Sequence, residues 1–467
     1  MSDGLRFEHR MSDSDALMWH IEEDPLLRST ITIVWWLDRL PDRGRLEDKV
    51  ERATRAIPRL RQHVVSNPYS IAPPRWEIDP NFDRRFHVRW VHAPAGGSIR
   101  SVLDCAEPIA MQGFDRARPL WELTVVGGLA DDRAAMILKI HHSLSDGVGL
   151  VRMTTALVER TADAEPPPGP LPPLPNGRVL TQAERVVDAL GHEWRRGLGR
   201  VRRVVGGVSD GVRCLVGDPL AVAAGLGEVA GSIGRMLRPA TTPLSPLMRG
   251  RSLSVRFDTL AIPITRLKAA AKRAHGKLND AFVAGVAGGL RRYHEAHGAP
   301  VSVLRMSMPI NVRQGETGAV AGNQFVPARF EVPVGIVSPV ARMTAIRDLI
   351  GQQRAEPALR LLDEVAALLC RLPLAVSTGL FGSMLKGIDF VTSNVPGPRF
   401  DVYVAGAKLE GVVGYGPLTG AATNVTLFSL RDHAHLGIST DPAAISDPDL
   451  FVTCLREGFR EVLGEWE

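Results

Sequence analysis

The sequence His141-His142-Ser143-Leu144-Ser145-Asp146-Gly147 joins a predicted strand to a predicted helix, and the rest of the chain is interpreted around it. Residues 134–140 before it are mostly apolar and lack glycine and proline, which predicts a strand, whereas the apolar residues of 148–158 recur at helical spacing. Successive strand side chains point to opposite faces, so His141 and His142 cannot both face one cavity. We therefore expect one histidine to do chemistry and the other to be structural.

The last two residues of this stretch are suited to shaping a turn. Asp146 is a common N-cap residue, and Gly147 permits close backbone approach or a conformation that a β-carbon would penalise. We expect Asp146 to fix the turn while the free histidine works.

General base catalysis is the chemistry that best fits the histidine pair. Adjacent histidines on a strand diverge and have no carboxylate or histidine at ligand spacing, so no metal site is expected. Ser143 and Ser145 lie outside a G-x-S-x-G turn, and Cys105 has no evident activating partner, which disfavours a covalent intermediate. His142, with a pKa near neutrality, can deprotonate a substrate hydroxyl that then attacks a thioester. The side chains expected to stabilise the resulting oxyanion are those of Asn279, Ser393 and Asn394.

Length and composition indicate a two-domain globular protein. The chain has 467 residues, more than one hydrophobic core usually serves, with 45% hydrophobic and 23% charged residues. A formal charge of +5 favours an anionic partner without choosing between a nucleotide-bearing cofactor, acidic lipid and nucleic acid. Four dispersed cysteines, a polar N-terminus and the lack of a long apolar run predict a reduced, cytoplasmic protein with at most peripheral membrane contact.

A proline-dense segment at 165–175 predicts the linker between the two domains. Thr181 and Glu184 have capping-box spacing, and an arginine-rich helix with an apolar stripe through Leu190 and Trp194 follows. Such a helix either packs on its own domain, as its glycines favour, or lies on an anionic lipid surface. The predicted boundaries are 1–165 for the first domain, 166–250 for the linker and basic helical segment, and 251–467 for the second domain.

Strands and helices are predicted along most of the chain, with the β-then-α order of an α/β protein. Asn279 and Asp280 stand where the second of the later helices begins, as helix caps do. The predicted helices are 11–23, 43–56, 264–274, 278–293 and a terminal one through 450–463, and the predicted strands are 31–37, 123–126, 302–308, 390–395 and 435–440.

The pattern H-H-x-x-x-D-G resembles the signature of the condensing acyltransferase superfamily, which includes chloramphenicol acetyltransferase and peptide-synthetase condensation domains. Further stretches, in order, resemble the bacterial wax ester synthase/diacylglycerol acyltransferase family across nearly the whole chain. They are Pro119-Leu120-Trp121, Asn279-Asp280, Pro309 to Arg313, Gly322-Asn323-Gln324-Phe325 and Asn394-Val395-Pro396-Gly397-Pro398.

The resemblance implies an α/β fold of two chloramphenicol-acetyltransferase-like domains, each a mixed sheet flanked by helices, with the active-site tunnel between them. It implies that His142 is the general base, that His141, Asp146 and Gly147 support it, and that Asp146 pairs with an arginine, for which we select Arg313. It also implies that Asn279 and Asp280 matter for activity, which goes beyond their interpretation as helix caps.

The activity implied is transfer of a long-chain acyl group from acyl-CoA to diacylglycerol, giving triacylglycerol, or to a fatty alcohol, giving wax ester. Acyl-CoA is then a co-substrate, no cofactor or metal is needed, nucleic acid is not a partner, and a membrane or lipid-body surface is a candidate one. Two alternatives stay open: a catalytically silent lipid-binding protein, and an acyltransferase whose donor is carried by a protein.

Two stretches depart from the wider pattern. Leu26-Leu27-Arg28-Ser29 stands where family members usually carry a Met-His pair, which leaves acceptor preference open. Gly414-Tyr415-Gly416-Pro417-Leu418 stands where many superfamily relatives have Asp-Phe-Gly-Trp-Gly, a difference expected for this branch.

Overall fold

Strands and helices of the chain are described here from a computed structural model, which covers residues 6–66, 72–144, 153–165, 169–196, 231, 234, 240–311, 320–321, 325–354 and 374–464. The strands are β1 Arg6–Phe7, β2 Thr30–Leu37, β3 Gln62–Val65, β4 Arg75–Ile78, β5 Val88–Gly97, β6 Trp121–Leu129, β7 Ala134–His141, β8 Arg256–Pro263, β9 Leu304–Asn311, β10 Val320–Ala321, β11 Phe325–Val332, β12 Phe390–Val395, β13 Tyr403–Val404, β14 Ala407–Tyr415, β15 Thr423–Leu430 and β16 His433–Thr440. The helices are α1 Asp13–Ile21, α2 Arg43–Ala56, α3 Arg84–His87, α4 Ile99–Met111, α5 182–196, α6 Ile264–Arg273, α7 Leu278–Ala296, α8 Pro339–Arg354, α9 Leu374–Leu385 and α10 Pro448–Leu463.

Two six-stranded sheets form the framework. The first has the order β13-β14-β2-β7-β6-β5 and the second β11-β9-β12-β15-β16-β8. Each sheet contains both parallel and antiparallel pairs, such as β5 with β6 and β6 with β7 in the first. The predicted α/β architecture of two mixed sheets flanked by helices is confirmed.

The central strand of the first sheet is the one that leads to the histidine pair. All eight residues of β7 are buried, because β2 and β6 flank it and side chains pack on both of its faces. Met136, Leu138 and Ile140 enter one apolar cluster, and Ala135 and Ile137 enter another. The end of β7 is thereby fixed from both sides of the sheet.

A strand from late in the chain completes the first sheet. Strand β14 pairs antiparallel with β2, so that Val413 lies opposite Val34. It also passes so close to β16 that a β-carbon on Gly437 would lie 2.1 Å from the Gly414 carbonyl oxygen, and only glycine fits there. No local sequence pattern indicates this crossing, and the domain boundaries given above stay predictions.

Helix α5 packs on the first half of the chain, but through its polar side. The predicted capping box is present, since Thr181 N donates to Glu184 at 2.9 Å and Glu184 N donates to Thr181 Oγ1 at 3.3 Å. The apolar stripe faces outward, with Val187 70%, Leu190 54% and Trp194 72% exposed. The ion pairs that hold the opposite side are Arg185–Glu77, Asp188–Arg10, Asp188–Arg75 and Arg196–Asp13. Within the described ranges, no helix is both long and apolar enough to cross a membrane.

Candidate active site

Strand β7 ends at His141, and His142 begins a short 3-10 turn that runs to Leu144. The backbone N–H of His142 donates to the Ser29 carbonyl at 2.8 Å, which ties this turn to the segment entering β2. The change from strand to turn sends the two imidazoles into different surroundings, as the alternation of strand side chains predicts.

His141 is locked by hydrogen bonds at both ring nitrogens. The Ser143 N–H donates to His141 Nδ1 at 3.1 Å, with Ser143 Oγ 2.7 Å from the same nitrogen. Because an N–H can only donate, Nδ1 carries no proton, and Nε2–H donates to Glu22 Oε1 at 2.8 Å. Trp19 and Phe114 pack edge-on against the ring, and only 1% of His141 is exposed. His141 is therefore a fixed structural element beside the site.

Glu22 is the functional residue that sequence reasoning missed. It follows α1 as its C-cap residue and accepts hydrogen bonds from both His141 Nε2 and the Ser29 backbone N–H. Burial alone would raise the pKa of Glu22, but His141, the Ser29 amide and Arg116 together hold it below its ordinary value. One carboxylate thus fixes both the His141 ring and the segment that binds the His142 backbone.

His142 lies on the wall of a cavity of about 480 Å³. Its side chain is half-buried there, whereas that of His141 is almost fully buried. Burial, with a smaller contribution from His141, lowers the pKa of His142 to about 4. The predicted pKa near neutrality is therefore wrong for the free protein: desolvation keeps the ring uncharged at neutral pH.

Both halves of the chain line this cavity, as the resemblance implied. Most of the wall is apolar, and its polar side chains are mainly neutral hydroxyls and amides. Apolar lining side chains are Met18, Ile21, Ile31, Ile33, Met308, Leu385, Ile388, Val391, Val395 and Phe428, and neutral polar ones are Ser29, Asn279, Ser307, Ser393, Asn394, Thr419, Asn424 and Thr426. Such a wall suits a long hydrocarbon chain with a few hydrogen-bonding groups.

Three of the predicted oxyanion or substrate residues lie on this wall, and one does not. Ser393 and Asn394 line it near the end of β12, and neither side chain has a hydrogen-bond partner among the described residues. Asn279 lines it from the first turn of α7, with Nδ2 3.2 Å from Met308 Sδ. Asp280 is 5% exposed and accepts the Lys277 N–H at 2.6 Å instead. Its position is that of a helix cap, so it acts on the cavity only by orienting the start of α7.

The remaining predicted residues lie partly outside the described ranges. Asp146, Gly147, Ser145 and Arg313 all do, so the expected pairing of Asp146 with Arg313 stays a prediction. The departure at Leu26–Ser29 is described. Arg28 Nη1 donates to the Met111 carbonyl at 2.6 Å, Leu27 is fully buried, and Ser29 lines the cavity.

The two-sheet architecture has counterparts among solved structures. The wax ester synthase/diacylglycerol acyltransferase of Marinobacter aquaeolei VT8 superposes with a TM-score of 0.65 at 22% identity, covering 97% of this chain and 98% of that one. The first condensation domain of the calcium-dependent antibiotic synthetase superposes with a TM-score of 0.61 at 15% identity, covering 97% and 96%. These likenesses concern the fold.

Sequence comparison identifies the family. The family model of the wax ester synthase/diacylglycerol acyltransferase catalytic domain matches residues 11–282, and that of the family's C-terminal domain matches 321–462. A protein of Mycobacterium tuberculosis, named provisionally as a diacylglycerol O-acyltransferase, is 40% identical over 98% of this chain and 92% of its own. Another from that species with the same provisional name is 29% identical over 97% of both chains. The chain belongs to the wax ester synthase/diacylglycerol acyltransferase family.

Proposed function

We propose that this protein transfers a long-chain acyl group from acyl-CoA to a lipid hydroxyl, with diacylglycerol or a long-chain alcohol as acceptor. The observation that carries the proposal is the half-buried His142, whose pKa is lowered to about 4, on the wall of a largely apolar cavity in a chain of this family. The names of the mycobacterial relatives support diacylglycerol, and the family's description supports both acceptors.

In the proposed reaction, His142 Nε2 accepts the proton of the acceptor hydroxyl as its oxygen bonds to the thioester carbonyl carbon. The tetrahedral oxyanion receives hydrogen bonds from neutral donors of the wall, for which Asn279, Ser393 and Asn394 are the candidates. The C–S bond then breaks, the thiolate takes the proton back from His142, and ester and CoA leave. The cycle needs no cofactor beyond acyl-CoA as co-substrate, and no acyl-enzyme.

The test is a two-acceptor assay with purified protein. Labelled palmitoyl-CoA is offered with dioleoylglycerol or hexadecanol, and ester formation and released thiol are both measured. We expect ester with at least one acceptor and a loss of roughly 10²- to 10⁴-fold in His142→Ala. His433→Ala is the matched control, because His433 is exposed and does not line the cavity. If neither ester forms in the wild type, or if His142→Ala retains full activity, the proposal fails.

The same assay separates the alternatives. A carrier-protein donor predicts that palmitoyl-carrier protein outcompetes palmitoyl-CoA. A silent lipid-binding protein predicts lipid binding without turnover of either donor. The family relationship favours the acyltransferase over both.

We further propose that the outward face of α5 rests on an anionic lipid surface, which places this cytoplasmic enzyme where its acceptors reside. A helix with exposed Val187, Leu190 and Trp194 gains free energy by burying them at a bilayer interface. Ion pairs hold its other side to the protein, so the stripe need not leave a core to reach lipid. Positive charge comes from the exposed side chain of Arg195 and from the arginines that follow in sequence, Arg200, Arg202 and Arg203.

Vesicle flotation tests this surface. The double variant Leu190→Ser/Trp194→Ser should bind vesicles containing phosphatidylglycerol at least about tenfold more weakly than wild type. Leu253→Ser/Val337→Ser is the matched control, since these side chains are 54% and 67% exposed on other elements. Unchanged binding of the first variant, or equal wild-type binding to purely neutral vesicles, contradicts this proposal.

A further inference from the structure

One permanently charged side chain lies among the described residues that line the cavity. Arg354, the last described residue of α8, is exposed and contributes to the lining beside Asn279. All other described lining residues are apolar or neutral, including His142 with its low pKa. The cavity therefore combines an apolar interior with a cationic group at the position of Arg354.

No acidic side chain in the described part of the chain lies within 4 Å of the Arg354 guanidinium, and the same holds for Lys277. Lys277 is exposed and directly precedes α7, two residues from Asn279. The nearby carboxylate, Asp280, is buried and engaged by the Lys277 backbone N–H. Arg347, one to two turns earlier on α8, differs because it pairs with Asp348 at 2.8 Å. Arg354 and Lys277 thus place two positive charges, neither in a direct ion pair with a described residue, near the single carboxylate of Asp280 on the Asn279 side of the cavity.

An apolar cavity with cations on one side matches an amphiphile that has a hydrocarbon chain and an anionic head. Diacylglycerol and fatty alcohols carry no charge, whereas CoA carries phosphates. Guanidinium groups bind phosphate through paired, charge-assisted hydrogen bonds, and ammonium groups bind it as point charges. Of the two substrates, only the acyl-CoA donor therefore has a charge that cationic side chains can bind.

We propose that Arg354 and Lys277 bind a phosphate group of the acyl-CoA donor and so set the side from which the thioester approaches His142. The inference rests on the proposed acyl-CoA-dependent activity. Under this proposal, residues where α7 and α8 meet, in the second half of the chain, bind the phosphate-bearing part of acyl-CoA. The first half of the chain supplies His142.

The test compares two thioesters that share the acyl chain and the reacting bond. Palmitoyl-CoA carries phosphates, and palmitoyl-N-acetylcysteamine does not. Arg354→Gln and Lys277→Gln should each raise the KM for palmitoyl-CoA about fivefold to tenfold, as loss of a charge-assisted contact does, and leave the KM for palmitoyl-N-acetylcysteamine unchanged. Raising the salt to 0.5 M should move the wild-type KM for palmitoyl-CoA toward that of the variants.

Arg456→Gln is the matched control, because Arg456 is exposed on α10 and is not among the lining residues. Equal KM increases for both donors would mean that the two residues shape the cavity rather than bind phosphate, which overturns the inference. So would an unchanged KM for palmitoyl-CoA in both variants. Failure of the acyltransferase proposal itself is distinguishable, since wild-type protein would then form no ester from either thioester. Both substituted side chains are exposed, and melting curves verify that the variants fold.

Discussion

His141 and His142 are adjacent and chemically identical, but their surroundings differ. His141 is nearly inaccessible, with partners at both ring nitrogens and aromatic rings on its edges. His142 is half-buried and lies on a cavity wall, where burial lowers its pKa to about 4. The difference comes from the backbone, because the last residue of β7 and the first residue of the following turn point to opposite sides.

The comparison also explains why the two rings serve different purposes. A fully bonded histidine contributes rigidity and has no lone pair to offer a substrate. A desolvated histidine on a cavity wall is uncharged at neutral pH and able to accept a hydroxyl proton. The signature therefore needs both histidines, although only His142 faces the cavity.

The largest expected effect is the contrast between two alanine variants. His142→Ala should lower kcat by roughly 10²- to 10⁴-fold, because the base is lost. Its free energy of unfolding should change by less than about 1 kcal/mol, since the ring lines a cavity rather than filling a packed core. His141→Ala should instead destabilise by about 2–4 kcal/mol, because it leaves a void and removes one of the two hydrogen-bond donors of the half-buried Glu22. Steady-state kinetics and urea titration measure the two effects; a larger activity loss in folded His141→Ala than in His142→Ala would reverse the assignment.

The next largest effect is expected at Glu22, which accepts a hydrogen bond from His141 Nε2. Glu22→Ala should lower kcat by about 100-fold, because a small misplacement of the base is costly, with the KM for palmitoyl-CoA within twofold of wild type. Glu22→Gln keeps an amide oxygen that accepts from His141 Nε2 and should lose only about tenfold. Glu22 does not line the cavity, and a role in substrate binding would appear as a raised KM. The control is Glu23→Gln, since its neighbour Glu23 is exposed.

Local sequence patterns were enough to predict much of the fold and several residues of the cavity wall. The strand bounds Phe390–Val395 were predicted without error, and the strands predicted at 123–126 and 134–140 lie within β6 and β7. Strand alternation predicted that only one histidine would face a cavity. Asn279, Ser393 and Asn394 were selected as polar residues at element ends, and all three line the cavity. Their roles in the reaction stay predictions.

What was missed depends on contacts between distant segments. Glu22 lies 119 positions before His141 and has no motif spacing to reveal it. Strand β14 joins the first sheet from beyond residue 400, which no local pattern signals. The pKa of His142 is set by burial, which the sequence of a single strand does not determine. The resemblance implied a role in activity for Asp280 beyond that of a cap, but its carboxylate lies at the cap position, and its role in activity stays a prediction.

A smaller effect is the position of the acid limb of the pH profile. His142 has a pKa lowered to about 4, so it is an uncharged base above that pH and is protonated below it. In the free enzyme, kcat/KM should therefore fall with a midpoint near pH 4 rather than near the ordinary histidine value of about 6.5. Initial rates from pH 3.5 to 8 measure it, with circular dichroism at each pH as the control for folding. A midpoint between 6 and 7 in folded protein would mean that the ring is more hydrated than its position in the cavity wall implies.

The smallest effect is the pH dependence of stability on the His141 side. The folded protein holds the pKa of Glu22 below its ordinary value, so the ionised carboxylate favours the folded state. This contribution is fully present above the unfolded value of about 4.3 and is lost as the pH falls through the lower folded value. The stability difference between wild type and Glu22→Gln, at most about 1–3 kcal/mol at pH 7, should therefore shrink as the pH falls toward 3. Urea titrations of both proteins at several pH values measure it, with Glu23→Gln expected to follow wild type. A stability difference that stayed constant or grew on acidification would mean that burial, which opposes ionisation, outweighs the contacts with His141, Ser29 and Arg116. An ionised Glu22 would then not stabilise the position of His141.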